Sequence, residues 1–239
     1  MAIKLYRGDL PADLTFGPIV AIDTETMGLN PHRDRLCLVQ LSAGDGNAHL
    51  VQIPKVSTGS GPAKAPRLAA LLADPKVLKL FHFGRFDIAV LEHALGVRCE
   101  PVYCTKIASK LTRTYTDRHG LKDLVKEMLG REISKQQQSS DWGGPVLSDA
   151  QQEYAASDVR HLHAMHAILV ERLEREGRTA MAQACFDFLP MRARLDLAGW
   201  AERDIFSHAD MSKLPSRATA TIGNAEACEA KVRKEGEET

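Results

Sequence analysis

The sequence carries no excess of charge of either sign. Its 239 residues hold 31 Lys and Arg against 31 Asp and Glu, a formal net charge of zero. A protein that tracks along an extended polyanion gains from a basic face through counterion release. The balance therefore argues against a long phosphate track and leaves room for a local basic pocket. No apolar run approaches the ~20 residues that span a bilayer, and the start, MAIKLYRGDL, has no apolar signal core. A cytoplasmic protein with no membrane partner is expected. Cysteines are few: five, at positions 37, 99, 104, 185 and 228, without any CxxC pair. That usage argues against a disulfide or zinc framework and reads as reduced core thiols. No internal repeat is present. The composition, 44% hydrophobic and 26% charged, suits one well-buried domain with an appendage, or two small domains.

What the chain does have is concentrated first in residues 18–29, PIVAIDTETMGL. An apolar run of β-formers reads as a strand buried on both faces, and two carboxylates then arrive at alternate positions. Residues i and i+2 of a strand point the same way, so Asp23 and Glu25 aim at one point. Two converging, dehydrated carboxylates are costly unless a cation joins them. Ligands made only of oxygen favour a hard ion such as Mg²⁺ or Mn²⁺. A strand that simply runs into a polar turn at Gly28 and Asn30-Pro31 is the competing reading of the same residues.

Further along, residues 36–42 and 48–53 read as two strands joined by the turn Gly44-Asp45-Gly46-Asn47. With the first strand they make three antiparallel neighbours. Residues 54–66 read as an exposed loop and 65–72 as a short helix ended by Asp74-Pro75. A fourth strand, 77–82, precedes a helix over 84–95 that stops at Gly96. Residues 102–104 form a brief fifth strand, with Thr105 as a cap for the next helix. An amphipathic helix is predicted over 119–130 and a polar segment over 134–142. The capping box at 148–151 opens a long helix to about Glu176, and two short helices follow at 179–188 and 191–200. From Ala209 on, apolar residues thin out, so 209–239 reads as a disordered tail. The organisation expected is a main domain over 1–176, a helical extension over 177–208 and that tail. Strands followed by alternating strands and helices imply an α/β fold with a mixed sheet.

Two more acids stand out. Asp87 lies among apolar residues in the helix after the fourth strand, in FHFGRFDIAVL, where a helix-start charge is the plainer explanation. Tyr154 and Asp158 sit at i and i+4, on one face of the long helix. Together, a strand D-x-E, an acid on an early helical turn and a Y-x-x-x-D form a specific set. It resembles the DEDD superfamily of 3′→5′ exonucleases, in its Tyr-containing subgroup, and within it the ribonuclease D group. The stretches AIDTETMGLNPHRDRLCLVQ, CTKIASKLTRTYTDRHGLK and SKQQQSSDW are similar to the alphaproteobacterial diribonuclease branch known as nano-RNase C. The likeness covers roughly residues 1–208. Phe83 stands where many ribonuclease D relatives have Asn, a trait that the resemblance assigns to this branch. No counterpart of the helical nucleic-acid-binding modules of full-length ribonuclease D is expected from these residues.

The resemblance implies a ribonuclease-H-like, mixed five-stranded sheet flanked by helices, with extra C-terminal helices. It implies two divalent ions, Mg²⁺ or Mn²⁺, clamping the attacking and leaving oxygens of an in-line displacement. Asp23 would bridge them, Glu25 and Asp158 would complete one site, and Asp87 would hold the second ion. Tyr154 would orient the attacking water. Leu29 would wedge between bases, and Thr24, His82, Lys106, Gln138 and Ser139 would touch substrate. The implied reaction is release of nucleoside 5′-monophosphates from very short RNA, dinucleotides above all, by a homo-oligomeric ring. A general RNA-trimming enzyme, a DNA exonuclease and an inactive nucleic-acid-binding scaffold are the alternatives.

Overall fold

The computed structural model describes residues 1–55, 63–134 and 136–208. The expected tail, 209–239, lies outside them, as does most of the loop expected at 54–66. Residues Met1–Ala198 form one compact unit. A second unit begins at Gly199, and its described part, 199–208, is a short run of turns.

The sheet has six strands in the order β1-β4-β3-β2-β5-β6. They are β1 (Ile3–Arg7), β2 (Ile19–Thr26), β3 (Leu36–Ser42), β4 (Ala48–Gln52), β5 (Leu78–Phe81) and β6 (Val102–Cys104). β2, β3 and β4 are antiparallel neighbours, as expected from their short links. β5 and β6 then continue from β2 in parallel. One strand more is present than the sequence suggested. β1 adds in parallel to β4, pairing Ile3 with Ala48 and Arg7 with Gln52, and as a half-exposed edge strand it shows no strict alternation of buried side chains. The mixed α/β, ribonuclease-H-like architecture stands.

Helices cover both faces: α1 (Pro66–Ala73), α2 (Arg85–Leu95), α3 (Thr105–Thr112), α4 (Leu121–Leu129), α5 (Asp149–Arg160), α6 (Leu162–Arg175) and α7 (Thr179–Leu195). Three local expectations change. The long helix from 148 is two helices, broken at His161. The break lets α5 pack across β1 to β4 while α6 packs against α3, α4 and β5. The two short helices at 179–188 and 191–200 are one helix, α7, with Pro190 inside it. Pro190 removes one backbone donor, but it is buried between Leu189 and Ala193 in a helix that packs on α2 and β6. That packing carries the helix through the proline. Thr105 is the first residue of α3 rather than its cap; its hydroxyl donates instead to the Phe81 carbonyl at 3.1 Å.

Parallel pairing among β2, β5 and β6 brings three C-terminal strand ends to one edge: Glu25 and Thr26, Phe81 and His82, Cys104 and Thr105. In open α/β sheets that edge is where ligands bind. The helix starts behind it are tied down. Asp196, just after α7, accepts from Arg85 at the start of α2 (2.7 Å) and pairs with Arg192 (3.0 Å). The buried Lys79 of β5 donates to the carbonyls of Asp74 (2.6 Å) and Glu100 (2.7 Å), so its charge is met by main-chain oxygens on both flanking loops.

Candidate active site

β2 delivers its two acids on one face, as the period of two requires. The register sets Asp23 opposite Gln40 of β3 and shifts between Glu25 and Thr26, so regular pairing ends just beyond the second acid. Gln40 is fully buried, and its amide nitrogen donates to both Asp23 (3.3 Å) and Glu25 (3.4 Å). Sequence reasoning passed over Gln40. The signal was there, as one polar side chain in the otherwise apolar LCLVQL.

α5 supplies the third acid. One oxygen each of Asp23, Glu25 and Asp158 lies within 4.8 Å of the other two. Tyr154, one helical turn before Asp158, donates its hydroxyl to that carboxylate. Asp87 enters from the first turn of α2 and is buried. Thr24 alternates with its acidic neighbours along β2, and its hydroxyl donates to Asp87 Oδ1 at 2.6 Å. Thr24 thus positions an acid with its side chain, and its backbone N–H also faces the Asp23 and Asp87 carboxylates.

The electrostatics are those of an unneutralised cluster. Burial, then Asp87, Asp158 and Glu25, push the Asp23 carboxyl well above the usual range. Burial and the charges of Asp158 and Asp87 lift Glu25 to about 9, against the stabilising Gln40 bond. Burial lifts Asp87 to about 7, opposed by Thr24. Among the described residues, Asp23, Glu25 and Asp87 have no Lys or Arg ion partner. A donor set of carboxylate oxygens alone, crowded and dehydrated, fits a hard divalent cation. Tyr154 is raised by burial, then by Asp158, Glu25 and Asp23, so it keeps its proton at neutral pH and acts as a hydrogen-bonding group, not as a base.

The other predicted contacts lie on the elements around this cluster. Leu29 is 84% exposed on the turn beyond β2, which rules out core packing. His82 Nδ1 lies 2.9 Å from Thr105 Oγ1, at the joint of β5 and β6. Lys106 sits in the first turn of α3 with its ammonium 4.1 Å from the Phe83 ring centroid. Gln138 and Ser139 are exposed on a turn that is anchored downstream. Trp142 is buried against Tyr154, with ring centroids 6.0 Å apart. Gln151 completes the capping box with Ser148 and also donates to Ser140 (3.2 Å) and the Asp141 carbonyl (3.0 Å). Gly143 lies against the Met27 side chain, whose sulfur an added Cβ would meet at 2.3 Å and have to displace. Arg35 donates to the Gly143 carbonyl at 3.0 Å. The 136–143 segment is therefore fastened both to α5 and to the exit of β2. Next to it lies an open cleft of about 960 Å³, lined by Met27, His32, Arg35, Lys55, His93 and Asp141. It begins beyond Glu25 and does not include the four carboxylates.

Known proteins resemble this chain in sequence and fold. A 3′-5′ exonuclease family matches residues 9–174. Ribonuclease D of Gluconacetobacter diazotrophicus is 37% identical over 161 residues, which are 67% of this chain and 39% of that protein. The chain thus spans about two fifths of the length of such curated relatives. Brucella melitensis NrnC, solved with bound Mg²⁺, is 60% identical with a TM-score of 0.81, over 87% of this chain and 100% of that one. The same Brucella protein, solved bound to pGG, matches at 60% identity and a TM-score of 0.82, with the same coverage.

Proposed function

Because this chain belongs to the 3′-5′ exonuclease family, with ribonuclease D and NrnC among its relatives, we propose that it hydrolyses very short RNA, down to dinucleotides, from the 3′ end to nucleoside 5′-monophosphates. The observation that carries the reading is the convergence of Asp23, Glu25 and Asp158 oxygens within 4.8 Å, with the Tyr154 hydroxyl on Asp158 and Asp87 alongside.

In this reading Asp23, Glu25, Asp87 and Asp158 would together hold two divalent ions, Mg²⁺ or Mn²⁺. Such ions act as Lewis acids toward phosphoryl oxygens and lower the pKa of a water molecule. The chain's own residues do the rest. Gln40 fixes the orientation of both β2 carboxylates, and Thr24 fixes Asp87. Tyr154 stays protonated and orients the attacking water by hydrogen bond. Leu29 separates neighbouring bases, while His82 and Lys106 contact sugar or phosphate.

Preference for short RNA is supported by three features. Net charge is zero, which offers no extended phosphate track. A relative 60% identical has been solved bound to pGG. The anchored 136–143 segment presents Gln138 and Ser139 on an exposed turn, where they can bind a 5′ phosphate and close the pocket behind the second nucleotide. Met181, Phe188 and Met191 lie exposed along α7 and support a homo-oligomer. Among the described residues, no helix is long and apolar enough to cross a membrane.

A time course with 5′-labelled RNAs of two to ten nucleotides tests the proposal. The 5′-phosphorylated diribonucleotide should be consumed far faster than a heptamer at equal concentration, and excess EDTA should stop both. Equal rates with stepwise ladders on the heptamer would instead indicate general trimming, and full turnover in EDTA would sink the metal reading.

A further inference from the structure

Between β5 and α2 the chain makes a turn that core packing does not account for. Phe83 has φ of +64°, and no other non-glycine residue among those described has a positive φ. A bulky side chain in the left-handed region is strained, and such strain persists only where the surroundings enforce it. The ring is also 48% exposed, although Phe81 two residues earlier is fully buried. The chain thus spends conformational energy to hold an aromatic ring in solvent.

The support beneath it is rigid. Backbone N–H groups of Phe83, Gly84, Lys106 and Ile107 all face the buried Cys104 sulfur, where the starts of α2 and α3 meet. Gly84 allows this approach, because a Cβ there would lie 2.6 Å from that of Phe81. Thr105 locks the same corner through Phe81 and His82. Lys106 then sits against the ring at 4.1 Å from its centroid, in cation–π contact. All of this lies on the C-terminal edge of the parallel strands, just before Asp87 in the chain.

We propose that Phe83, backed by Lys106, is a stacking platform for one base of the RNA substrate. An exposed, preorganised ring beside a cation is how proteins grip unpaired bases, through stacking that tolerates every base. The inference rests on the proposed RNA hydrolysis and adds a substrate contact to it. Asn is the informative replacement, because it adopts the left-handed conformation more readily but offers no ring.

The test is Phe83→Asn beside Phe83→Tyr, assayed on a diribonucleotide and on the two versions of it that carry one abasic nucleotide each. Phe83→Asn should raise KM roughly five- to hundredfold, the range that base–aromatic stacking spans. Its kcat should stay within about threefold, and its melting temperature should be unchanged or higher because strain is relieved. Phe83→Tyr should keep the wild-type KM. One of the two abasic substrates should bind wild type more weakly than the intact dinucleotide does, and should bind wild type and Phe83→Asn alike. Wild-type turnover with an unchanged KM in Phe83→Asn would overturn the platform and leave the nuclease reading standing. A fall in kcat with a lowered melting temperature would likewise overturn it, by making the ring structural. No turnover of RNA by wild type would overturn the nuclease reading and the platform together.

Discussion

Replacing Glu25 with glutamine should make the metal-free protein more stable, not less. Glu25 is lifted to about 9 by burial and by the charges of Asp158 and Asp87, while in the unfolded chain it returns to ~4.3. Between those two values the unfolded state binds fewer protons than the folded state, so stability falls as pH rises across the window. At about pH 8 and ~1.4 kcal/mol per unit, the full penalty would approach ~5 kcal/mol; partial exposure and coupling to the other acids reduce it to about 2–4 kcal/mol. The substituted amide has nothing to titrate, and its oxygen can still accept from Gln40. For a chain of this size, each kcal/mol shifts the melting temperature by about 2–4 °C. In EDTA near pH 8, Glu25→Gln should thus melt roughly 5–15 °C above wild type. Near pH 5 the penalty shrinks below about 1 kcal/mol, and the gap should nearly close. Added Mg²⁺ should raise the melting temperature of wild type far more than that of the variant. Thermal melts by circular dichroism at both pH values, with and without Mg²⁺, decide the matter. A variant less stable than wild type at pH 8, or a gap independent of pH, would refute the account of the cluster.

Tyr154→Phe removes only the hydroxyl on Asp158, so kcat on a dinucleotide should fall roughly ten- to a thousandfold with little change in KM; an unchanged kcat would make Tyr154 plain packing. Leu29→Ala should leave the melting temperature unchanged, since Leu29 is 84% exposed, while raising KM for RNA; a several-degree loss would mean that Leu29 packs. Arg113 is fully buried, pairs with Glu127 and donates to the Arg118 carbonyl. Arg113→Ala should cost about 2–3 kcal/mol through the cavity it leaves and the bonds it removes, read as a loss of roughly 4–12 °C with kcat of the residual folded enzyme preserved; a melting temperature within a degree of wild type would show that the Arg113 bonds contribute nothing.

The site was legible in the sequence to the extent that local periodicity encodes it. Asp23 and Glu25 share a strand face, and Tyr154 and Asp158 share a helix face; both follow from spacing alone. Asp87 stood out as an acid among Phe86, Ile88, Ala89 and Val90. What spacing could not reveal depended on long-range pairing. Gln40 reaches the acids only because the β2–β3 register sets it opposite Asp23. β1 exists because β4 offers it an edge. The helix break at His161 and the continuity of α7 through Pro190 answer to different packing surfaces, which no window of sequence contains. Phe83 was visible as a departure from the ribonuclease D pattern, but its left-handed backbone was not, because a Phe carries no local signal for that conformation.

The claim on which all of this turns is that the carboxylate cluster is a metal site. Calorimetric titration of Mn²⁺ into the chain, in the presence of a non-hydrolysable dinucleotide, tests it most directly. The account predicts two ions bound per chain, and fewer once Asp158 is replaced by Asn, with the melting temperature of that variant in EDTA unchanged or raised. Binding that Asp158→Asn leaves intact, or no binding at millimolar Mn²⁺, would contradict it.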